Sequence, residues 1–430
     1  MKVHKGFLSL SVLLGLLLAV AVPAASAQDA STLTVWITWG DNPAQLQDLF
    51  NEYGSAHGIT VQVNAPVDAD KVVAGLSSNE PPDILITGGP SDTGSWAREE
   101  LISPLDDLMK SSGIDTATMT TAPLGQCVYG GQYYCLPWGT DTYALFWNKD
   151  LFEDAGLDPE TPPQTLEELV ADADKLTKVE ADGTVSQVGF VPDFSWSHLN
   201  FYVRMFGGYW YSDDGKKLTF TSQPMVDALK WEQQFYSKYG ADQVLRFTSA
   251  MGAYQSPDQG FYAGKIAMML DGEWQTGPNF ISLYKPELYY GVAPFPYPAD
   301  HPERKNTNLL EGTVAMIPSG SPNQAAAADL LAWMESPQVV ADEMYANFNL
   351  PTTTAAASDP RFTENDNFDV FLKLMNDPNA TTGIYSAIDS EVTTSIGQIE
   401  EQVLHAGADP LPLLQEAQDQ LQPKLDASLK

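Results

Sequence analysis

Residues 132–152 read QYYCLPWGTDTYALFWNKDLF, and this stretch decides the fold. It contains a Gly-Thr-Asp-Thr-Tyr turn, in which Asp141 lies seven residues before Asn148, and then an apolar run that includes Trp147. An aspartate in such a turn either caps the helix or strand that follows or presents its carboxylate to a ligand. The elements on both sides of the stretch indicate which kind of protein surrounds this turn.

The surrounding sequence alternates between strand and helix patterns. Asn42 is a good N-cap and Pro43 a good first helical residue, and Thr165 and Glu168 form a capping box before an amphipathic helix. The predicted elements are strands at 33–37, 59–63, 83–87, 266–270, 289–293 and 313–317, and helices at 43–53, 71–76 and 165–177. A strand, a helix and a strand in succession form a βαβ unit, which requires a parallel sheet, so the predicted fold class is α/β.

No Pro/Gly/Ser-rich linker divides the chain. A chain of this length without a linker is either one large domain or two domains whose strands cross back and forth. In open α/β sheets ligands bind beyond the carboxyl ends of the strands, so we expect the loops at 38–42, 88–94 and 271–275 to line a site.

The charge excludes one class of partner. The 430 residues carry 22 Lys+Arg against 56 Asp+Glu, a formal net charge of −34. Nucleic-acid binding depends on Lys and Arg that neutralise phosphates, so this surface repels nucleic acid and anionic membrane faces. A hydrophobic content of 43% supports two domains with proper cores.

The N-terminus predicts export. Lys2 and Lys5 precede an apolar run at 7–22, and Ala25-Ser26-Ala27 follows as a small-residue cleavage signal, so residues 1–27 are predicted to be a cleaved signal peptide. Later segments lack the run of about 20 apolar residues that a membrane-spanning helix needs. We therefore expect a periplasmic or extracellular protein without membrane insertion.

Two cysteines, Cys127 and Cys135, flank a segment that reads as two short strands around a Gly130-Gly131 turn. A three-residue loop places the cysteines opposite each other, and an oxidising compartment favours a disulfide between them. The alternative is a reduced pair of small core residues.

Motifs for catalysis and cofactors are missing from the sequence. The histidines are scattered without the spacing of metal ligands, and no dinucleotide-binding, phosphate-binding or nucleophile-elbow glycine motif occurs. We therefore expect no metal, no cofactor and no enzymatic activity. The numerous acids leave a secreted glycoside-processing enzyme open as an alternative.

Three segments carry a family resemblance: residues 132–152 with 153–169, residues 261–274 (FYAGKIAMMLDGEW), and residues 81–85 with the glycines that follow. In order and spacing they resemble the extracellular solute-binding proteins of family 1, the exported binding components of ABC importers, typified by the maltose-binding protein. The resemblance covers the chain from about residue 31 to the C-terminus. It implies a type II periplasmic-binding-protein fold with two lobes, each an α/β sandwich with a central mixed sheet, and a ligand in the cleft between the lobes.

The resemblance also implies the lobe boundaries and the function. The N-terminal lobe is expected at 28–139 plus 307–352 and the C-terminal lobe at 140–306 plus 353–430, with crossings near 136–140, 306–312 and 349–354. We expect a monomer that closes on a neutral mono- or oligosaccharide and delivers it to the permease subunits of the membrane importer. Glycerol phosphodiester or another polar solute is the alternative within the family, and a sensor that presents the solute to a receptor remains open.

The tryptophans and acids supply the candidate ligand contacts, because sugars bind aromatic faces and planar carboxylates. Trp36, Trp147, Trp231 and Trp333 are expected in the core, Trp96 over the sheet, and Trp39, Trp138, Trp196 and Trp274 in loops where they can stack on a sugar. The predicted ligand-binding residues are Trp39, Asp41, Gly89, Asp141, Tyr143, Asp193, Trp196, Trp274, Glu311, Gly312 and Tyr385. Gly88-Gly89-Pro90 replaces a Trp-x-x-Asp-Arg arrangement of the maltose-binding protein, so maltose itself is not inferred.

Overall fold

A computed structural model describes residues 32–40, 42–194 and 199–429 of the chain. The predicted signal peptide at 1–27 and the predicted ligand contacts Asp41 and Trp196 lie outside the described residues. The strands are β1 Thr32–Ile37, β2 Thr60–Asn64, β3 Ile84–Thr87, β4 Val128–Tyr129, β5 Gln132–Tyr133, β6 Leu136–Pro137, β7 Tyr143–Asn148, β8 Lys178–Val179, β9 Val185–Phe190, β10 Ile266–Gly272, β11 Tyr290–Ala293, β12 Asn308–Leu309, β13 Val314–Met316 and β14 Ala380–Thr381.

The helices surround two central sheets. They are α1 Pro43–His57, α2 Ala69–Leu76, α3 Thr93–Arg98, α4 Asp106–Ser112, α5 Thr121–Gly125, α6 Lys149–Asp154, α7 Leu166–Leu176, α8 Leu199–Met205, α9 Gln223–Tyr239, α10 Ala241–Ser249, α11 Ile281–Tyr284, α12 Gln324–Met334, α13 Pro337–Asn347, α14 Asp366–Met375, α15 Asp389–Ala406 and α16 Pro410–Ser428. Short 3-10 turns lie at Thr116–Thr118, Glu273–Thr276, Pro302–Arg304, Ala356–Ser358 and Pro360–Thr363.

The first sheet confirms the predicted βαβ unit. Its strand order is β2-β1-β3-β13-β6, and β1 runs parallel to both β2 and β3. The Asn42 side chain caps α1 by accepting a hydrogen bond from the Gln45 amide, and the helix ends at Gly58, whose φ is 70°. Glycine adopts this left-handed conformation without a steric penalty, so the chain turns there into β2.

The second sheet is built on the apolar run after the Asp141 turn. Its order is β11-β7-β10-β9-β8, with β7 antiparallel to β10 and β11, and β10 parallel to β9. All six residues of β7 are buried, so both faces of this strand are covered by protein. Trp147 and Trp231 lie in the core as predicted, whereas Trp36 and Trp333 are half-buried.

Three chain segments run side by side between the two sheets, at 138–142, 310–313 and 349–353. Thr140 and Leu350 exchange both backbone hydrogen bonds, at 3.0 and 3.2 Å, and the Asp141 amide donates to the Glu311 carbonyl at 2.7 Å. Both sheets are mixed and carry helices, which agrees with the predicted type II fold. The exact lobe boundaries stay a prediction.

The Cys127–Cys135 disulfide is present, but the predicted loop was wrong. In the hairpin Val128 pairs with Tyr133, so the turn contains two residues, Gly130 and Gly131, and not three. Both glycines have positive φ, at 58° and 83°, which a two-residue hairpin turn requires. The Tyr134 amide consequently donates to the Cys127 carbonyl, and Cys135 lies one position beyond the directly opposed residue.

Glu335, at the end of α12, provides a test of how buried acids affect stability. The residue is 7% exposed, neither carboxyl oxygen has a hydrogen-bond partner in the described structure, and burial raises its pKa to about 8. The folded state therefore binds more protons than the unfolded state between pH 4.5 and about 8, so the free energy of unfolding falls as the pH rises through this window. We expect Glu335→Gln to raise that free energy by about 1 to 3 kcal/mol at pH 8 and to change it little at pH 4.5.

Urea denaturation at both pH values measures this effect. Glu80→Gln is the matched control, because Glu80 is exposed and substitutions at such positions change stability by about 0.5 kcal/mol or less. A Glu335→Gln gain of equal size at both pH values would contradict the expectation.

Candidate ligand-binding cleft

A cleft opens where the carboxyl ends of β1, β3 and β10 meet, in line with the loops predicted to line a site. It consists of two adjoining cavities of about 440 Å³ each, which share Thr38 and Gly88. The tryptophan compartment is lined by Thr38, Trp39, Gly40, Pro66, Gly88, Asp141, Tyr254, Gln255, Trp274, Phe280, Thr313 and Asn349. The acidic compartment begins at Thr38 and Gly88 and extends along β3 and α15. Its lining includes Gly89, Asp92, Trp96, Asn200, Tyr209, Trp210, Glu311, Tyr385, Asp389 and Glu400.

Trp39 forms one wall of the tryptophan compartment. Its ring is half-buried and stacks on Trp138, with centroids 6.3 Å apart and an interplanar angle of 22°. Trp138 is only 1% exposed and also packs on Phe50, so it supports Trp39 from below and does not face the cleft. The expectation that Trp138 stacks on a sugar was therefore wrong, because the core covers its ring.

Trp274 forms another wall of this compartment, on the 3-10 turn after β10. Its indole Nε1 donates to the Tyr254 hydroxyl at 2.6 Å, and Tyr143 packs edge-on against its ring at 6.2 Å. The Tyr254 hydroxyl in turn donates to the Asp271 carboxylate at 2.9 Å and accepts from Gln275 Nε2 at 2.8 Å. This buried network fixes the orientation of the indole before any ligand arrives.

Asp141 supplies the carboxylate of the tryptophan compartment. It is 8% exposed, receives a long contact from Asn349 Nδ2 at 3.4 Å, and hydrogen-bonds with Glu273. Glu273 is fully buried, and its Oε2 accepts from the Thr142 amide at 3.1 Å. Burial first, and then the charge of Asp141, raise the pKa of Glu273 well above its ordinary value. Burial and the neighbouring charge therefore both disfavour negative charge on Glu273, and Asp141 is the carboxylate of this pair that lines the cavity.

Glu311 supplies the first carboxylate of the acidic compartment. Its Oε1 accepts hydrogen bonds from Asn200 Nδ2 at 3.1 Å and from the Tyr385 hydroxyl at 3.0 Å. Burial raises the pKa of Glu311, and the hydrogen bond from Tyr385 partly offsets this rise. Asn200 and Tyr385, from distant parts of the sequence, thus hold the Glu311 carboxylate at the cavity wall.

Asp389 lies at the start of α15 and is 3% exposed. Its Oδ1 accepts a hydrogen bond from the Tyr211 hydroxyl at 2.7 Å. Burial raises the pKa of Asp389, the charges of Glu311 and Asp92 add to this rise, and the resulting value is about 8. The charges of Asp92 and Glu311 therefore both act on Asp389.

The structure brings most of the predicted ligand contacts to the cleft. Trp39, Asp141 and Trp274 line the tryptophan compartment, and Gly89, Glu311 and Tyr385 line the acidic compartment. Tyr143 is 5% exposed and packs behind Trp274 without lining either cavity. Gly312 likewise lies outside both linings, because its backbone packs on Gly139 and Thr140.

Asp193 departs from the prediction. Its Oδ1 accepts from the Tyr236 hydroxyl at 2.5 Å and its Oδ2 contacts His405 Nε2 at 2.9 Å. These partners lie on α9 and α15, and Asp193 lines neither compartment. The hydrogen bond to Asp193 raises the pKa of His405. Through Tyr236 and His405 the aspartate links α9 to α15.

The sequence analysis missed Tyr254, Tyr209, Trp210 and Asp389. Trp210 stands in Gly207-Gly-Tyr-Trp-Tyr211, a glycine-flanked aromatic segment of the kind that singled out Trp39 and Trp274. The same criterion could have found it. Asp389 had no local signal, because nothing in its neighbourhood of the sequence shows that α15 reaches the cleft.

Within residues 32–40, 42–194 and 199–429 no group of three or more His, Cys, Asp or Glu side chains has the arrangement to hold a metal ion. Over the same part of the chain no helix has the length and apolarity to cross a bilayer.

Comparison with known proteins gives the cleft a context. The profile of the bacterial extracellular solute-binding protein family matches residues 38–341. The maltotriose-binding protein of Pyrococcus abyssi is 22% identical over 336 residues, which are 76% of this chain and 68% of that protein. The sn-glycerol-3-phosphate-binding periplasmic protein UgpB of Escherichia coli (strain 536) is 24% identical over 354 residues, 77% of this chain and 76% of that protein. The solved structure of CpMnBP1 with mannotriose bound is 29% identical, has a TM-score of 0.83, and is matched over 90% of this chain and 99% of that chain.

Gly312 permits a test of the crossing that holds the cleft together. A Cβ at this position would overlap the Gly139 carbonyl oxygen and lie 2.8 Å from Thr140 Cα, and the φ of 154° favours glycine. We expect Gly312→Ala to lower the free energy of unfolding by about 2 to 4 kcal/mol, because backbone atoms must move apart. Thermal unfolding measures this loss. Gly89→Ala is the control, since a Cβ there meets no atom within 4 Å, and equal melting temperatures for both variants would contradict the account.

Proposed function

The chain belongs to the bacterial extracellular solute-binding protein family, and we propose that it captures a carbohydrate in its cleft and delivers it to the permease of an ABC importer. In this proposal residues 1–27 are cleaved on export, the mature protein acts as a monomer, and the segments 138–142, 310–313 and 349–353 are the hinge. Closure on the solute then presents a form that the permease subunits bind.

One observation carries the proposal: two indoles and a carboxylate line one compartment of about 440 Å³. A sugar ring offers apolar C–H faces and a rim of hydroxyls. Trp39 and Trp274 supply aromatic surface for the faces, and Asp141 accepts hydrogen bonds from the hydroxyls. Such charge-assisted hydrogen bonds contribute roughly 1.5 to 3 kcal/mol each. The relatives named for maltotriose and mannotriose agree with this chemistry.

The space of the cleft favours more than one sugar unit. The tryptophan compartment and the acidic compartment join at Thr38 and Gly88, so a chain of two or more rings can extend from one into the other. In this arrangement Glu311, Tyr385 and the backbone of Gly89 contact the second unit. Tyr143 and Gly312 support the site from behind.

Phosphate-bearing solutes fit the cleft less well. One relative is named for sn-glycerol 3-phosphate. Among the described residues that line the two compartments, none is Lys, Arg or His, whereas Asp92, Asp141, Glu311, Asp389 and Glu400 are acids. A phosphate would enter this field without a cation among the described lining residues to bind it. A glycosidase is also disfavoured, because the buried Asp141 and Glu273 carboxyl groups hydrogen-bond with each other and are not separated across a substrate.

Native mass spectrometry of freshly purified protein, followed by a thermal-shift screen, tests the function. The screen contains mannotriose, maltotriose, the corresponding monosaccharides and their 2-amino-2-deoxy derivatives, with sn-glycerol 3-phosphate and glycerophosphocholine as anionic and zwitterionic controls. We expect a saccharide to raise the melting temperature by mass action, and the phosphate compounds not to do so. Stabilisation by the phosphate compounds alone, or released sugar product during incubation with oligosaccharide, would overturn the proposal.

Single substitutions test the contacts. We expect Trp274→Ala and Asp141→Ala each to weaken binding of the saccharide by about 1 to 4 kcal/mol, the range for buried anchors. Isothermal titration calorimetry gives the affinities. Trp333→Ala is the matched control, because Trp333 on α12 packs on Tyr53 of α1 and lines neither compartment. Unchanged affinity in both cleft variants would refute the assignment of these side chains.

A further inference from the structure

The acidic compartment gathers carboxylates from three separate parts of the chain. Asp92 precedes α3, Glu311 precedes β13, and Asp389 opens α15, and all three line the same cavity. Among the described residues that line this cavity, no base accompanies them. Arg204 does not line the cavity, but its charge partly offsets the rise that burial causes in the pKa of Glu311. Its guanidinium hydrogen-bonds with Thr381 and Thr382 and lies over the Tyr209 ring at 4.4 Å.

This arrangement makes negative charge on the buried Asp389 carboxyl group unfavourable. Burial raises the pKa values of Asp92 and Glu311, and burial with the charges of Glu311 and Asp92 raises that of Asp389. Like charges in a low-dielectric cavity destabilise one another unless a cation lies between them. A ligand that carries positive charge would relieve this repulsion, and a neutral ligand would not.

A buried polar atom of the compartment lacks a partner in the described structure: Trp210 is 7% exposed, and its Nε1 has no hydrogen-bond acceptor. Asp389 is 3% exposed, and its Oδ1 accepts a hydrogen bond from the Tyr211 hydroxyl. A carboxylate can accept from an ammonium group and an indole N–H can donate to a hydroxyl, so the compartment offers complementary contacts to a ligand that has both groups.

Aromatic rings complete the compartment. Tyr209 and Trp210 stack with centroids 6.2 Å apart and an interplanar angle of 4°, and the Tyr385 hydroxyl donates to Glu311. Aromatic faces attract cations through their quadrupole, and carboxylates beside them strengthen the attraction. The lining therefore places carboxylates beside aromatic rings, and the Arg204 guanidinium over Tyr209 shows that a cation is accommodated on one of these rings.

We propose that the ligand is a saccharide that bears a protonated amino group, with a sugar ring in the tryptophan compartment and the ammonium group among Asp92, Glu311 and Asp389. This inference rests on the proposed function and replaces the neutral saccharide expected from the sequence. The junction at Thr38 and Gly88 lets one molecule occupy both compartments.

Matched ligand pairs test the inference by calorimetry on the mature full-length protein. The pairs are glucosamine and glucose, mannosamine and mannose, galactosamine and galactose, and the disaccharide of glucosamine and cellobiose. The members of a pair differ at carbon 2, where one has an amine and the other a hydroxyl. The N-acetylated forms remove the charge and keep the nitrogen, and putrescine supplies ammonium groups without a sugar ring.

The expected result is that, in at least one pair, the amine binds about tenfold or more tightly than the hydroxyl and N-acetyl forms, as a charge-assisted hydrogen bond predicts. Putrescine should bind more weakly than that amino sugar. The inference is wrong if no amine binds more tightly than its hydroxyl counterpart, or if putrescine binds as tightly as the best amino sugar. Binding of the neutral members alone would leave the proposed function standing, whereas a failure of every saccharide would overturn that as well.

Two conservative variants localise the effect. Asp389→Asn keeps an oxygen that can accept from Tyr211 and removes the charge, and Glu311→Gln does the same for Tyr385. We expect each to reduce the ratio of amine affinity to hydroxyl affinity by about tenfold. Asp419→Asn is the matched control, because Asp419 is exposed on α16 and hydrogen-bonds with Gln415. An unchanged ratio in both cleft variants would contradict the placement of the ammonium group.

Discussion

The cleft depends on the backbone hydrogen bonds between the crossing segments. Thr140 pairs with Leu350, and Asp141 pairs with Glu311 on the neighbouring segment. Because Asp141 and Glu311 are cross-strand neighbours, the hydrogen bond from the Asp141 amide to the Glu311 carbonyl helps to set the positions of both carboxylates. The Asp141 side chain lines the tryptophan compartment and the Glu311 side chain lines the acidic compartment. Gly312 contributes by lacking a Cβ, since any larger residue would push this segment away from Gly139.

The buried carboxyl groups then divide into those packed inside the protein and those that line a cavity. Glu273 has no exposed surface, and burial and the charge of Asp141 raise its pKa. Asp389 is also buried, but the acids whose charges raise its pKa, Glu311 and Asp92, line the same cavity as Asp389 itself. Negative charge on Asp389 is therefore unfavourable in the empty cleft, and the proposed cationic ligand would remove that cost. Such a ligand would increase the difference in free energy between the empty and the occupied cleft.

Local elements were predictable from the sequence, and the long-range placement was predictable only where the family resemblance supplied it. The cap at Asn42 and the capping box at Thr165 depend on residues within a few positions, and both lie as predicted. Trp138 and Asp193 failed for the same reason: loop composition does not reveal which neighbour covers a side chain. Trp39 stacks on Trp138, and the carboxylate of Asp193 hydrogen-bonds with Tyr236 and His405. Asp389 enters the cleft through the packing of α15, which no local pattern encodes.

The position of the two indoles connects the site with closure. Trp39 follows β1 of the first sheet, and Trp274 follows β10 of the second sheet. A ring held by both therefore contacts both sheets, and these contacts are complete only when the sheets approach each other. A ligand shifts a conformational equilibrium only by its differential affinity for the two states, and a ring between two such walls provides that difference. Since Trp274 is fixed by Tyr254 and Tyr143, and Trp39 by Trp138, little side-chain entropy is lost on closure. In the proposed closure, more of the free energy of binding is then available to drive movement at the crossing segments, where Asp141 and Glu311 pair and each lines one compartment.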